Sequence, residues 1–468
     1  MAYLDDRPLK GTRSAKAYPL LIALIAAAGG FLFGYDLAII AGANFILKEQ
    51  FALSEAAFGF ITTSALLGCI PGPFLGSWLC DALGRKKTLI IACLLLAASA
   101  IVTAVARDIV TFNVFRFVGG VGVGLCSVGS PMYIAEVAPA RSRGMLGLMY
   151  QMAIVIGSIL SAVTAYFLAK YLPETLSWRW MFGAETVAVV LYALLLFLLP
   201  ESPRWLMARG QEGEAQDILT RIDGPEHARQ EILEIKGSLV EETGTFREFL
   251  QPGIRKALTV GVLLAIFAQT TGWSVLAGYL PSLFQEAGVP EKAQAILQYV
   301  FAYGIMGVMT AVACVLVDRL GRKLLWVVGS AMMAVATGLM GMVYHYNITG
   351  LTVVAVACLC ALPHAFALGP LPWLMMSELY PTKIRAKAVA TSTTVLWATV
   401  SIMVWIFPII SEYFKEGFGS IAGAIWLFVL ANGCSFVFGI KLLPETKGRT
   451  LENIAASFRA DHRKTGQL

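Results

Sequence analysis

The chain has 468 residues, 57% of them hydrophobic and 14% charged, and 36 Lys and Arg against 30 Asp and Glu leave a net charge of +6. An ordinary soluble domain carries about 25% charged residues, so this balance excludes a water-soluble globule. The positive excess implies no nucleic-acid partner, because its placement along the chain is that of a membrane protein.

A bilayer core about 30 Å thick requires about 20 mainly apolar residues per helix. Met1 to Lys16 carries four basic residues but no small-residue cleavage site before an apolar run far longer than a signal peptide's, so the first run is expected to be retained. Spans are predicted at 19–46, 56–79, 88–106, 110–136, 145–169, 180–200, 256–284, 294–317, 324–345, 350–379, 388–412 and 419–443. Of the basic residues, 29 fall at the N-terminus, in the loops on its side and in the C-terminal tail. Only Lys48, Arg107, Lys170, Arg179, Lys292 and Lys415 fall on the other side, and Arg116 lies inside a span. Cytoplasmic loops keep positive charge. Both termini are therefore expected in the cytoplasm, in a multi-pass protein of the plasma or inner membrane.

The loops of that basic side repeat. "DALGRKK" (81–87) follows the second span and "DRLGRKL" (318–324) the eighth, 237 residues later. "AEVAPARSRG" (135–144) after the fourth pairs with "SELYPTKIRA" (377–386) after the tenth, and "PESPRWL" after the sixth with "PETKGRT" after the twelfth, at offsets of 242 and 244. One offset of about 240 residues means that a six-helix unit is written twice. The predicted organisation is an all-α integral membrane protein: a segment 1–18, a six-helix half 19–200, a linker 201–255, a second half 256–443 and a tail 444–468. In the linker, Ala215, Ile218, Leu219 and Ile222, and then Ala228, Ile232, Ile235 and Leu239, repeat at helical spacing, which predicts short amphipathic helices bracing the basic side. Two parallel repeats of this kind describe a secondary transporter with its site near the midplane between them.

Within the bilayer two charges stand out. Asp36 lies 17 residues past Pro19, about 26 Å along a helix at 1.5 Å per residue, and Arg116 lies about six residues into a span that starts on the opposite side. Both belong at one level in the outer half. An unpaired charge there costs about 2.5–3.5 kcal/mol, so the two are predicted to meet. Glu185, beside "WRWMFG", reads as a helix-packing or interfacial residue. The eight cysteines fall in or at the ends of apolar runs, where Cys behaves as a small hydrophobe. No metal cluster, nucleotide loop or nucleophile with its base stands outside the spans, so no cofactor, no metal and no enzymatic activity are expected.

"GYD" (34–36), "DALGRKK", "RFVGGVGVG" (116–124), "PMYIAEVAP" (131–139), "RG" (143–144), "PESPRWL", "DRLGRK", "GPLPW" (369–373), "SELYP" (377–381) and "PETKGRT" occur in order from about residue 20 to 455. This ordered set resembles the sugar porter family of the major facilitator superfamily. The resemblance implies alternating access by two six-helix halves acting as a monomer in the lipid bilayer. It implies a cytoplasmic latch of Asp81, Arg85, Glu136, Arg143, Glu201 and Arg204, with Asp318, Arg322, Glu378, Arg385, Glu445 and Arg449 in the second half. It implies Asp36 and Arg116 as a proton-coupling pair, and Gln151, Gln269, Trp373 and Trp397 as residues lining a sugar cavity. Phe31 and Tyr279 are candidate wall or gate residues, with helix packing as the alternative for an aromatic on an apolar helix.

The chain also departs from the family. Where sugar porters usually write "QQLSGIN" it has "AQTTGWS", so Ala268 and Ser274 each replace an amide; Met306 stands near a usual asparagine and Ala365 near a polar contact. His364, beside the last, is a candidate for substrate binding or titration. A small polar solute, a sugar or polyol, moved with protons is the expected cargo. A uniporter, a carrier of another polar solute such as a hydroxylated organic acid, and a non-transporting sensor are the alternatives.

Overall fold

The computed structural model describes residues 13–138, 143–241, 248–249, 251–380 and 384–447. All regular structure among them is helical, and twelve helical stretches are long and apolar enough to cross a membrane: Tyr18–Gln50, Glu55–Leu83, Arg85–Val105, Ile109–Val137, Met149–Tyr171, Glu174–Leu196, Gly253–Glu286, Lys292–Ala313, Arg322–His345, Leu351–Met376, Arg385–Phe418 and Ala422–Lys441. The protein is a multi-pass membrane protein. Its exposed side chains include Leu94, Val105, Val187, Leu194, Val335 and Leu430, an apolar exterior that water would not tolerate and lipid does.

Several helices outrun their apolar stretches. The sixth span starts at Glu174, with Pro173 at the N-cap. The eleventh continues to Phe418, where Gly419 at φ 72° ends it. Polar residues continue a helix at no cost once it leaves the hydrocarbon, so hydropathy underestimates both.

Helices Pro203–Ala208, Glu212–Asp223 and Pro225–Glu241 link the two six-span halves. Ser202 caps the first, accepting from Trp205 N, with Pro203 at the first turn. Ala215, Ile218, Leu219, Ile222, Ala228, Ile232 and Ile235 are buried, so the linker's apolar stripes pack inward. Arg221 lies 4.7 Å over the Tyr18 ring and ties the linker beneath the first span. This end of the molecule is called the linker face below, and the opposite end the far face.

Three spans are broken. The second stops at Cys69 and resumes at Gly72, with Pro71 between. The seventh stops at Thr270 and resumes at Trp273 after Gly272, whose φ of 106° only glycine adopts readily. The tenth contains a π-helical turn, His364–Leu368, before Pro370. Backbone groups freed inside a membrane need protein partners. Thr394 Oγ1 donates to Ile70 O at the first break, and Asn432 Nδ2 to Thr271 O at the second.

Within the halves the helices approach closely through glycine. A Cβ on Gly120 would lie 1.8 Å from Ala65 O, and one on Gly34 1.9 Å from Ile154 O. A backbone carbonyl cannot rotate away, so Gly120→Val should cost on the order of 3 kcal/mol or more. The expected result is loss of the monodisperse protein in detergent, or a lower apparent Tm, read by size exclusion and thermal unfolding; an unchanged Tm would contradict this packing.

Candidate functional site

On the linker face the repeated heptapeptides build the same structure twice. Gly84 (φ 96°) and Gly321 (φ 87°) each end one helix and open the next. A Cβ on Gly84 would lie 2.3 Å from Glu201 Oε2, and one on Gly321 2.6 Å from Glu445 Oε2. Each glycine is required by its positive φ and by the carboxylate resting on it. Glu201 Oε1 accepts from the N–H groups of Arg85 (2.8 Å) and Lys86 (3.2 Å); Glu445 accepts from those of Arg322 (3.0 Å) and Lys323 (3.1 Å). These carboxylates cap the N-termini of the third and ninth spans, where the dipole favours negative charge. Burial pushes the Glu445 carboxyl up, but the N–H groups of Lys447, Arg322, Lys323 and Thr446 outweigh it and hold it below the usual value.

The arginines then reach sideways. Arg85 donates to Glu136 Oε1 at 2.7 Å and lies 3.7 Å from Asp81, while Arg322 donates to Glu378 Oε1 at 3.1 Å. Ser202 and Thr446 supply matching hydroxyls to Glu136 Oε2 and Glu378 Oε2. Arg204 acts on Glu136 electrostatically, and Arg385 Nε donates to Tyr380 O at 3.2 Å. Each of these contacts lies inside one half, so they brace three helix ends of that half together. The side chains of Arg143 and Asp318, and Arg449 altogether, lie outside the described residues.

Inside the first half, Asp36 and Arg116 meet. Arg116 Nη1 donates to Asp36 Oδ1 at 2.5 Å and Nη2 to Asp36 O at 3.0 Å, with the two side chains 1% and 0% exposed. Phe182 lies 5.2 Å from the guanidinium carbon and covers it. Of the two readings its sequence neighbours leave for Glu185, burial favours helix packing over the interface: it is 0% exposed, lies within electrostatic reach of Asp36 and Arg116, and neither of its oxygens makes a well-formed hydrogen bond. Its neighbours Trp178, Met181 and Phe182 are fully buried too, because this face of the sixth span turns inward. Asp36 Oδ2 is likewise unpartnered. Two carboxyl groups and one guanidinium thus share a buried pocket.

The other candidates lie on the first, fifth, seventh, tenth and eleventh spans, and of these Trp397 and Tyr279 touch rings of the opposite half. In the fifth span, Val155 and Ile159 face Gly307 of the eighth. Gln151, one turn before Val155 and half-buried, continues that stripe. In the seventh, Gln269 Oε1 accepts from Ser274 Oγ at 2.7 Å, so the serine standing for an amide occupies its neighbour's acceptor and leaves the Gln269 NH2 to donate. Trp373 lies 6.5 Å from Trp397, and Trp397 5.6 Å from Phe33 of the other half. Phe31 is displaced from the predicted wall: it lines a groove of the first half with Tyr35, Leu160, Thr164, Val187 and Leu191, several of them lipid-facing. Two residues is 200° around a helix, so Phe33 takes the seam instead. Tyr279, whose hydroxyl donates to Val404 O at 2.8 Å, packs on Phe58 and Phe407 toward the far face.

His364 opens the π-helical turn, its ring 6.0 Å from Trp273, which itself lies 6.2 Å from Tyr303. Its Nδ1 is buried without a partner. Trp397 Nε1, Thr270 Oγ1 and Gln298 Oε1 are in the same condition, so the tenth, eleventh, seventh and eighth spans each hold an orphaned polar atom. Buried polar groups are nearly always satisfied, so these atoms keep hydrogen-bonding capacity that a polar solute could use. Gln298, Trp273, Tyr303 and Phe33 carry no isolated sequence signal, because a polar or aromatic residue in a long apolar helix reads the same whether it faces a seam or a neighbouring helix.

A family model described as "Sugar (and other) transporter" matches residues 22–458. The arabinose-proton symporter of Bacillus subtilis (strain 168) is 36% identical over 453 residues, 95% of this chain and 96% of the relative. The D-xylose-proton symporter of Escherichia coli (strain K12) is 34% identical over 493 aligned positions, 97% of this chain and 99% of the relative. In solved structures, the xylose transporter of E. coli in a partially occluded inward open conformation superposes with a TM-score of 0.83 at 32% identity, covering 93% of this chain and all of that one. A structure of that major facilitator superfamily proton:xylose symporter bound to 6-bromo-6-deoxy-D-glucose gives 0.81 at 34% identity, covering 94% and 99%. With the twelve helices, the twofold linker-face architecture and these matches together, the chain belongs to the sugar transporter family of the major facilitator superfamily.

Proposed function

We propose that the protein is a sugar-proton symporter working by alternating access. The observation that carries this reading is the buried cluster of Asp36, Arg116 and Glu185. If both carboxyl groups were ionised, the pocket would hold one uncompensated negative charge at low dielectric, so one proton shared between them relieves it. Taking up or releasing that proton changes what Arg116 holds, and with it the relative energy of the two conformations. A static ion pair would need only one of the two acids. Relatives named as arabinose-, xylose- and galactose-proton symporters support the same cargo class.

Gln151, the Gln269 amide, Trp373, Trp397 and His364 are proposed to hold the solute, with Phe33 as an aromatic wall from the other half and Tyr279 as a gate. Hydroxyls need donors and acceptors, and the C–H faces of a sugar need aromatic surfaces. The braced linker-face clusters are proposed to keep each half rigid while the halves rock, and to form the latch in the conformation that closes this face. Domain limits of 19–200 and 256–443, a monomer as the working unit, and cytoplasmic termini complete the proposal. The linker face is then cytoplasmic, consistent with its basic residues.

A thermal-shift screen of purified protein against hexoses, pentoses, inositols, other polyols and hydroxy acids tests the cargo, since ligand at 100 times its Kd adds about 2.7 kcal/mol. Stabilisation by a sugar, followed by its uptake driven by an imposed pH gradient, is the expected result. The pairing of Ser274 with Gln269 favours one second reading, a different polar solute; stabilisation by hydroxy acids alone would establish it in place of sugar. Gln151→Ala should weaken the stabilising ligand by about 1–3 kcal/mol, through a lost buried hydrogen bond, as read by titration. Unchanged affinity would place the site elsewhere.

A further inference from the structure

Lys292 is the first residue of the helix Lys292–Leu320, and Glu49 lies at the last turn of Arg13–Gln50. Both charges sit at the wrong helix ends. A cation at an N-terminus and an anion at a C-terminus each oppose the helix dipole, so local helix stability does not account for them. The structure does: Lys292 Nζ contacts Glu49 Oε2 at 2.5 Å and Glu174 Oε2 at 2.7 Å. One ammonium, 17% exposed, gathers the eighth span of the second half to the first and sixth spans of the first half. Two other far-face ion pairs, Lys48–Glu55 and Lys415–Glu286, each stay within one half.

The same face carries other cross-half contacts. Asn44 Nδ2 donates to Gly278 O at 2.9 Å, Trp405 Nε1 donates to Ala56 O at 3.2 Å, and the Phe58 and Tyr279 rings meet at 5.3 Å. Above these aromatic rings lies a cavity of about 720 Å³, with Glu49, Glu286, Glu412 and Lys415 in its walls. For the halves to part on this face, the Lys292 contacts must break. We propose that Lys292 is a positioning residue of the transport cycle: an electrostatic clasp that closes the far face by holding Glu49 and Glu174 of the opposite half. Both glutamates are more than half exposed, so water and salt compete with the clasp. A bond of moderate strength suits a switch, because a very strong one would hold a single state.

The test uses Thr62→Cys in the otherwise unaltered full chain in intact cells, labelled from outside by a charged, membrane-impermeant thiol reagent with no solute present. Thr62 is buried, hydrogen-bonded by Asn44 beneath the clasp, so its labelling rate reads opening of the far face. The exposed Tyr346→Cys, run in parallel, shows that the reagent reaches that face. Adding Lys292→Met should raise the Thr62→Cys labelling rate at least threefold, and Lys292→Glu should raise it further. Reversing the partners as well, with Glu49→Lys and Glu174→Lys beside Lys292→Glu, should return it to within twofold of the starting rate, which a merely structural lysine would not allow. Raising salt from 0.05 to about 0.5 M should speed labelling of the single variant through screening, and this arm stands even if changes at Lys292 impair folding. Labelling that ignores both the Lys292 substitutions and salt overturns the proposal. Because no solute is added, this failure is distinct from failure of the sugar reading.

Discussion

Asp36→Asn is expected to abolish proton-driven accumulation of the solute while sparing exchange of labelled for unlabelled solute across the same membrane. In the parent protein, a pH gradient of one unit is worth about 1.4 kcal/mol, a tenfold ratio of solute inside to outside at one proton per solute. The variant should settle at a ratio near one. Asparagine keeps the shape of the carboxyl group and can still accept from Arg116 Nη1, whose bond to Asp36 Oδ1 is the shortest contact in the pocket. It cannot lose or gain a proton, so the two conformations no longer differ in proton affinity at this position. Exchange requires only rocking of the loaded carrier, which the substitution leaves intact. Equal accumulation by variant and parent, measured in proteoliposomes under the same gradient, would refute coupling through Asp36. Loss of exchange as well would show that the cluster holds the fold rather than the proton.

Much of the architecture was legible in the chain because the bilayer enforces it. Twelve apolar runs, the side bias of Lys and Arg and the 240-residue offset all reflect constraints acting on every residue of a span. The twofold linker-face clusters followed too: charges in short loops between helices have few places to go, and Gly84 with Gly321 marks where the chain must turn. Asp36 and Arg116 could be paired by depth alone, since charges in hydrocarbon are few and must find each other. For Glu185 the sequence leaves helix packing and the interface both open because depth does not fix azimuth; seated among aromatics near the end of a span, it could have faced headgroups, and the inward rotation of the sixth span turns it toward Asp36. Phe31 failed for the same reason, since a two-residue shift turns a helix nearly halfway round. The breaks at Gly272 and His364 were hidden as well. Threonine, glycine and proline are common in membrane helices that do not break, and what opens these two is the partner available to each freed backbone group.

Removing Arg116 should be the more damaging change to stability. Arg116→Leu leaves Asp36 and Glu185 facing each other in a pocket whose side chains are at most 1% exposed, with no counter-charge. Breaking a buried ion pair from one side costs about 3–5 kcal/mol, because the surviving charge keeps its desolvation penalty and loses its partner. Arg116→Lys should cost less: an ammonium preserves the charge but cannot serve Asp36 Oδ1 and Asp36 O together as the planar guanidinium does. Combining Asp36→Asn with Arg116→Leu removes the stranded pair, leaving Glu185 alone to be neutralised by a single proton. The double variant should therefore recover at least half of the apparent Tm lost by Arg116→Leu, while accumulation stays abolished in both. If the double variant melts at or below the single one, the loss comes from packing around Phe182 and not from unpaired charge, and the electrostatic account of the pocket falls. If stability returns together with accumulation, neither Asp36 nor Arg116 carries the coupling, and Glu185 would be the remaining ionisable group of the cluster able to do so.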